Sequence, residues 1–286
     1  MDNLTRYNHA SALGTRHFCS KCGCHVGDLG IDDGNWTIST AIFTEPNIGL
    51  WNMWSHCFTD SSADGGFSAL FSHIDGQRLE IVNPGDTSDS SKKDASGNIQ
   101  SSEAGSTSED LLAQCHCGGV SFNISRPQQE FITSTASEGW LHPSDTSKWL
   151  ALLDLCDDCR LVDGTNIMAW TFVPVNHISP HISADLIIGS SKSYRSSKDV
   201  LRTFCGTCGA TVFYSCASRP GIVDVAVGIL RAPEGTMAEK WLIWRAGRIG
   251  AASDGLKYDA AFSTALIEGM ARWGGEHGMP GDFVVP

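Results

Sequence analysis

The chain has 286 residues, 41% of them apolar and 18% charged, a composition that suits one large or two ordinary soluble globular domains. Its formal net charge of −12 excludes a general nucleic-acid binder, whose surface must be basic to neutralise phosphates. No apolar run is long enough to span a bilayer and the start "MDNLTRYNHASALG" carries no basic segment leading into an apolar one, so the expected location is cytoplasmic and the eleven cysteines read as reduced thiols and metal ligands.

In chain order, the first distinctive stretch is "RHFCSKCGCHV" at 16–26, a Cys-x-x-Cys knuckle formed by Cys19 and Cys22. A strand-like run follows, "NWTISTAIFTEP" at 35–46, and then a tryptophan pair, Trp51 and Trp54. Residues 85–110 are rich in serine, eight of 26 positions, and Ile99 is their one large apolar side chain. Such a segment buries too little surface to offset its ordering entropy, so it is expected to be a linker.

Beyond it come "QCHCGGV", with Cys115 and Cys117, and the strand-like "GGVSFNIS" at 118–125. Next is "LDLCDDCRL", with Cys156 and Cys159, followed by "MAWTFVPV" at 168–175 and "ADLIIGS" at 184–190, both expected as strands. The knuckle then recurs as "RTFCGTCGATVFY" at 202–214, with Cys205 and Cys208. Strands are expected at "ATVFYSC" (210–216) and "IVDVAVGIL" (222–230), and a second tryptophan pair stands at Trp241 and Trp244. Helical spacing of Ala261, Ala265, Leu266 and Met270 predicts a helix over 258–274.

The order knuckle, strands, tryptophan pair thus occurs twice, each time with a Tyr ten or eleven residues before the Phe of Phe-Cys. We read an internal repeat: residues 1–84 as the back half of a domain, 85–110 as a linker and 111–286 as a complete domain.

Short Cys-x-Cys and Cys-x-x-Cys spacings let two thiolates from one turn reach one ion, with glycine allowing the tight backbone. Two such pairs make a closed site of four thiolates, and three pairs plus other donors can make more than one site; spacing alone does not give the pairing. The three-part cysteine order, with "FCGTCGA" ahead of strands and a Trp pair, resembles the glutathione-dependent formaldehyde-activating family, also called the centromere protein V/GFA family, over about 111–245. The resemblance implies a mostly β, β-tent zinc-binding fold. It implies a structural zinc on Cys115, Cys117, Cys205 and Cys208. The family's central Cys-x-Cys-x-x-Cys, which holds a second zinc with an open position, reads here Asp154-x-Cys156-x-x-Cys159. Asp154 is expected either to replace the missing thiolate, leaving a more Lewis-acidic ion, or to face solvent, with Asp157 and Asp158 as substitutes in the same turn. Arg160 is a candidate for a carboxylate of glutathione, with a salt bridge as the alternative.

Cys19 and Cys22 lack a Cys-x-Cys partner; they are expected to be a free relic, or else to recruit Cys24, His25 or Cys57. Trp36, Trp51 and Trp54 are expected to cover the complete domain, His116 to be a spacer and Cys216 a small buried hydrophobe. His177 and His181 share a helical face only if Pro180 permits a helix, which it argues against. The function expected from the resemblance is that of a carbon–sulfur lyase acting on glutathione or other thiol adducts, with Asp154, Cys156 and Cys159 as its centre. A structural and a catalytic zinc are the expected cofactors and glutathione the co-substrate. No nucleic acid or membrane is expected as partner, and a homodimer is compatible. The alternative is a non-catalytic zinc scaffold of the same fold.

Overall fold

The computed structural model describes residues 3–9, 12–83 and 110–286. The expected linker lies outside the described residues except for Asp110, which opens a strand.

Strands β1 (Leu4–Tyr7), β2 (Gly14–Cys19), β3 (His25–Gly30) and β4 (Trp36–Ile38) form an antiparallel sheet in that order. Short pieces follow: β5 (Ser55–Cys57) pairs parallel with β8 (Glu80–Val82), and β6 (His73–Ile74) with β7 (Gln77–Arg78) antiparallel. Strand β9 (Asp110–Gln114) pairs with β10 (Ser121–Ser125), and β10 with β13 (Ile178–Ser179). Between them lie helix α1 (Gln129–Ile132), strand β11 (Trp149–Asp154), helix α2 (Asp157–Asp163) and strand β12 (Met168–Pro174). The largest sheet runs β14-β15-β16-β17-β12-β11-β18, built with β14 (Ser191–Ser197), β15 (Val200–Cys205), β16 (Thr211–Cys216), β17 (Ile222–Ala226) and β18 (Leu242–Trp244). Only its β11–β18 edge is parallel. Helices α3 (Ala252–Tyr258) and α4 (Ala260–Glu276) close the chain. Among the described residues strand exceeds helix, as expected of a mostly β fold. No helix among them is long and apolar enough to cross a membrane.

Strand β11 reads "WLALLD" because both of its faces are covered. Trp149, Ala151 and Leu153 enter the main core with Phe213, Trp244, Leu266 and Met270. Leu150 and Leu152 enter a second core with Trp170, Phe172 and Ile243. A strand buried on both sides gains nothing from polar alternation. Helix α4 starts two residues later than predicted because the Asp259 carboxylate accepts from Phe262 N at 3.1 Å and caps it. Phe262, Leu266, Met270 and Trp273 then fall on one buried face.

Three strand expectations are corrected. Residues 184–190 form turns, with Leu186 at φ 57° and Asp185 accepting from Ile187 N, so this apolar run is a buried bend. In "NWTISTAIFTEP" the strand ends at Ile38, because Ser39 Oγ accepts from Ala41 N at 3.2 Å and starts a 3-10 turn over Thr40–Ile42. In "IVDVAVGIL" it ends at Ala226, and a 3-10 turn covers Val227–Ile229.

Strands β1–β4 and β14–β17 share their order. Each second strand shifts register one residue before its knuckle, between His17 and Phe18 and between Thr203 and Phe204. The two knuckles face each other. Gly23, at φ 86°, lies against the Phe204 ring, and a Cβ there would come within 2.5 Å of it. Gly209, at φ 78°, lies likewise against Phe18, with 2.7 Å left for a Cβ. The two rings meet edge to face, centroids 6.4 Å apart.

The tryptophan expectation holds for one of three. Trp51 packs on Phe43 and Tyr258, but Trp36 stacks on His17 and Trp54 is 63% exposed.

Candidate metal centres

Among the described residues, two groups bring at least three metal-type ligand atoms within 4.8 Å of one another. They are Cys115, Cys117, Cys205 and Cys208, and Asp154, Cys156 and Cys159.

The first group is assembled from two tight turns. After β9, Cys115 N donates to Val120 O at 3.0 Å and Gly118 takes φ 74°, which turns Cys117 back toward Cys115. After β15, Cys205 N donates to Ala210 O at 2.8 Å and Gly209 N to Cys205 O at 2.9 Å. The Cys117 sulfur is 3.5 Å from those of both Cys115 and Cys205. Zinc–sulfur bonds of about 2.3 Å in a tetrahedron put sulfurs about 3.8 Å apart, so four thiolates here fit a structural zinc. Within the cluster the electrostatics favour one thiolate, on Cys205, while hydrogen bonding to Cys205 and burial raise Cys208, and burial raises Cys117. Hydrogen bonding from Cys208, joined by Ser190 Oγ and backbone N–H groups, holds Cys205 down at about 3.

The second group stands where β11 gives way to α2. Asp154 ends the strand, Cys156 is the residue that caps the helix, and Cys159 lies in its first turn. Asp154 Oδ1 accepts from Cys156 N at 3.1 Å, and the Cys159 thiol points at Asp154 Oδ2 at 3.8 Å. The aspartate is thus turned into the cluster. Burial raises its pKa, and hydrogen bonding from Cys159 draws Cys156 down to about 7. One carboxylate and two thiols suit zinc, and three protein ligands are what an open catalytic site offers. Asp157 and Asp158 are not in this group; Asp157 Oδ1 accepts from Arg160 Nε at 3.0 Å.

The group opens on a cavity of about 440 Å³, walled by Trp170, Phe172, Tyr214, Arg202, Arg219, Asp224 and Arg245. Arg202 directs both terminal nitrogens to Cys159 Sγ, 3.5 Å each, lies 3.6 Å from Asp163 Oδ2 and stacks over Tyr214. Arg219 donates to Asp224 Oδ2 at 2.8 Å, while Asp224 Oδ1 is buried with no hydrogen-bond partner. Burial pushes the Asp224 carboxyl up to about 6, against the pull of Arg219.

Arg160 takes the salt-bridge alternative, with Asp157 as its partner. It is 4% exposed, stacks over Tyr258 at 3.6 Å, and its guanidinium is taken by Asp157 and by the carbonyls of Ala41 and Phe43. It does not line the cavity that the Asp154 group opens on. It instead fastens α2 to the N-terminal half, as do Ser39 Oγ on Gly164 O at 2.8 Å and the close packing of Gly164 on His25.

Cys19 and Cys22 join no metal-type group of three among the described residues, and Cys57 is exposed on β5. His116 Nδ1 pairs with Tyr7 OH at 2.7 Å. His177 lies in a 3-10 turn against Phe131 and Trp149. Cys216 is half-buried and accepts from Arg219 Nε at 3.2 Å, so it is a polar contact rather than a buried hydrophobe.

Sequence reasoning missed four charged residues of the wall, Arg202, Arg219, Asp224 and Arg245. Asp224 carried a signal, a lone charge inside an apolar strand run. Arg202 carried a weaker one, its place in the repeated Arg-x-Phe-Cys phrase. Arg219 and Arg245 carried none.

Part of each centre lies in a stretch that is similar to a known family. Residues 144–246 match the model of the family described as glutathione-dependent formaldehyde-activating enzyme. The matched stretch includes Asp154, Cys156, Cys159, Cys205 and Cys208, so the resemblance read from the cysteine order holds there. A crystal structure of a Rhodobacter sphaeroides protein is 18% identical, covering 46% of this chain and 98% of its own, with a TM-score of 0.30. No curated protein matches.

Proposed function

We propose that the protein is a zinc-dependent enzyme that makes or breaks the carbon–sulfur bond of thiol adducts, of the S-hydroxymethylglutathione kind or larger. The observation that carries this reading is the Asp154–Cys156–Cys159 group opening on a cavity that holds a partnerless carboxylate oxygen. Cys115, Cys117, Cys205 and Cys208 take the structural zinc.

A zinc ion held by Asp154, Cys156 and Cys159 supplies Lewis-acid charge that favours a thiolate over a thiol. Asp224 Oδ1 accepts the adduct's hydroxyl proton. As that proton leaves, the hydroxyl oxygen becomes a carbonyl, the carbon–sulfur bond breaks, and its electron pair stays on sulfur. The reverse sequence forms the adduct, with Asp224 returning the proton. Arg219 holds Asp224 in place and limits its titration, and Trp170, Phe172 and Tyr214 keep the reacting atoms away from bulk water. Arg202 balances the negative charge at Cys159. The test is turnover of a glutathione–formaldehyde mixture by wild type and Cys156→Ser; turnover by the variant sinks the assignment.

We read residues 1–84 as a partial repeat of the back half of the zinc domain in 111–286. The shared strand order, the matching register shifts and the reciprocal Gly–Phe contacts support this. Cys19 and Cys22 are then a relic of the duplicated knuckle in a cytoplasmic, reduced protein.

A second reading, a non-catalytic zinc scaffold, is favoured by the apolar side chains that the N-terminal half leaves exposed, Phe43, Ile48, Leu50, Trp54 and Phe58 among them. A chain carrying one zinc would support it.

A further inference from the structure

The cavity beside Asp154 contains three arginines, and two of them are matched. Arg202 is committed to Cys159 and Asp163, and Arg219 to Asp224 and Cys216. Arg245 differs. It is 6% exposed and lines the same cavity. Its Nε donates to Arg248 O at 2.9 Å, and its terminal nitrogens make no hydrogen bond or ion pair among the described residues. The nearby Arg248 is itself paired with Asp282 at 3.0 Å. Burial and the neighbouring Arg248 draw the pKa of Arg245 down, against the pull of Asp282 and Asp154.

A buried, unpaired guanidinium is costly unless something arrives to pair with it. Its position is fixed. Arg245 N donates to Ala151 O at 2.9 Å and so extends the parallel β11–β18 pairing, and Gly250, five residues on, bridges to Asp154. The arginine and the metal-type group therefore stand on neighbouring strand ends. Once a dication takes up the Asp154 charge, Arg245 is the one unmatched cation among the arginines of the cavity wall, and Asp158 is the exposed acid on the same lining. A planar fork of donors in that position suits a carboxylate held by two parallel hydrogen bonds.

We propose that Arg245 anchors a carboxylate of the substrate, so that the pocket selects acidic thiols and their adducts over neutral ones. This rests on the thiol reading of the site given above. It assigns to Arg245 the role that the sequence suggested for Arg160.

The experiment compares two small thiols, 3-mercaptopropionate and 2-mercaptoethanol, titrated calorimetrically into zinc-loaded full-length protein. Wild type is expected to bind the carboxylated thiol at least about tenfold more tightly, the scale of one charge-assisted contact. Arg245→Gln is expected to lose that preference and to keep its affinity for 2-mercaptoethanol. Arg245→Lys, which keeps the charge without the fork, is expected to fall between, and it decides the matter if the Gln variant does not fold. Equal wild-type affinities, or an undiminished preference in both variants, overturns the anchor and leaves the thiol site standing. Binding of neither thiol overturns the thiol reading and the anchor together.

Discussion

Arg202 presents both terminal nitrogens to Cys159 Sγ at 3.5 Å while its other side faces Asp163. The guanidinium is buried, so it is placed to balance the charge that Cys159 would carry as a metal ligand, where water cannot. Partners of this kind orient a ligand and tune the ion it holds. Arg202→Lys should weaken the second zinc by about 10–100-fold and leave the four-cysteine zinc in place. Competition with a chromophoric chelator measures both; an unchanged second affinity would refute the role.

Arg160→Ala should loosen the N-terminal half from the helix that carries Cys159. It removes a buried guanidinium with its bonds to Ala41 O and Phe43 O and its stacking on Tyr258. The expected cost is about 2–4 kcal/mol. Chemical denaturation followed by tryptophan fluorescence gives the value, and a loss below about 0.5 kcal/mol, the range of an ordinary surface change, would contradict it.

Cys205→Ser should remove the structural zinc and with it the fold, because metal binding energy in a closed thiolate site is folding energy. Recovery of soluble, folded protein that still holds zinc at that site would show the assignment to be wrong. Cys156→Ser should by contrast leave circular dichroism unchanged.

Asp224 must be ionised to accept a proton, and its carboxyl is raised to about 6. Turnover should therefore be full above about pH 7 and fall as pH drops through 6, the side on which the carboxylate becomes protonated. Asp224→Asn should lower kcat by about 10²–10⁴-fold and abolish that acid limb. A variant with the limb intact would assign the proton transfer elsewhere.

What the sequence made legible was mostly local. The cysteine pairs announce themselves because the turns that aim two thiolates at one ion are short and glycine-bearing, and the helix over 260–276 because one face of it is buried. The Asp154 frame was visible, but its orientation was not, since that depends on the Cys156 N–H that it accepts. Residues 184–190 misled because an apolar run does not distinguish a strand from a buried bend. The cavity wall was hidden for a different reason. Arg202 and Asp224 stand on β15 and β17, Arg219 and Arg245 follow β16 and β18, and the four meet only through the pairing of the seven-stranded sheet.

The most direct test of the second metal centre is zinc per chain, measured by elemental analysis on fully reduced wild type and Cys156→Ser side by side. Two ions in the wild type and one in the variant is the predicted result. One ion in both would leave only the four-cysteine site and contradict the catalytic reading.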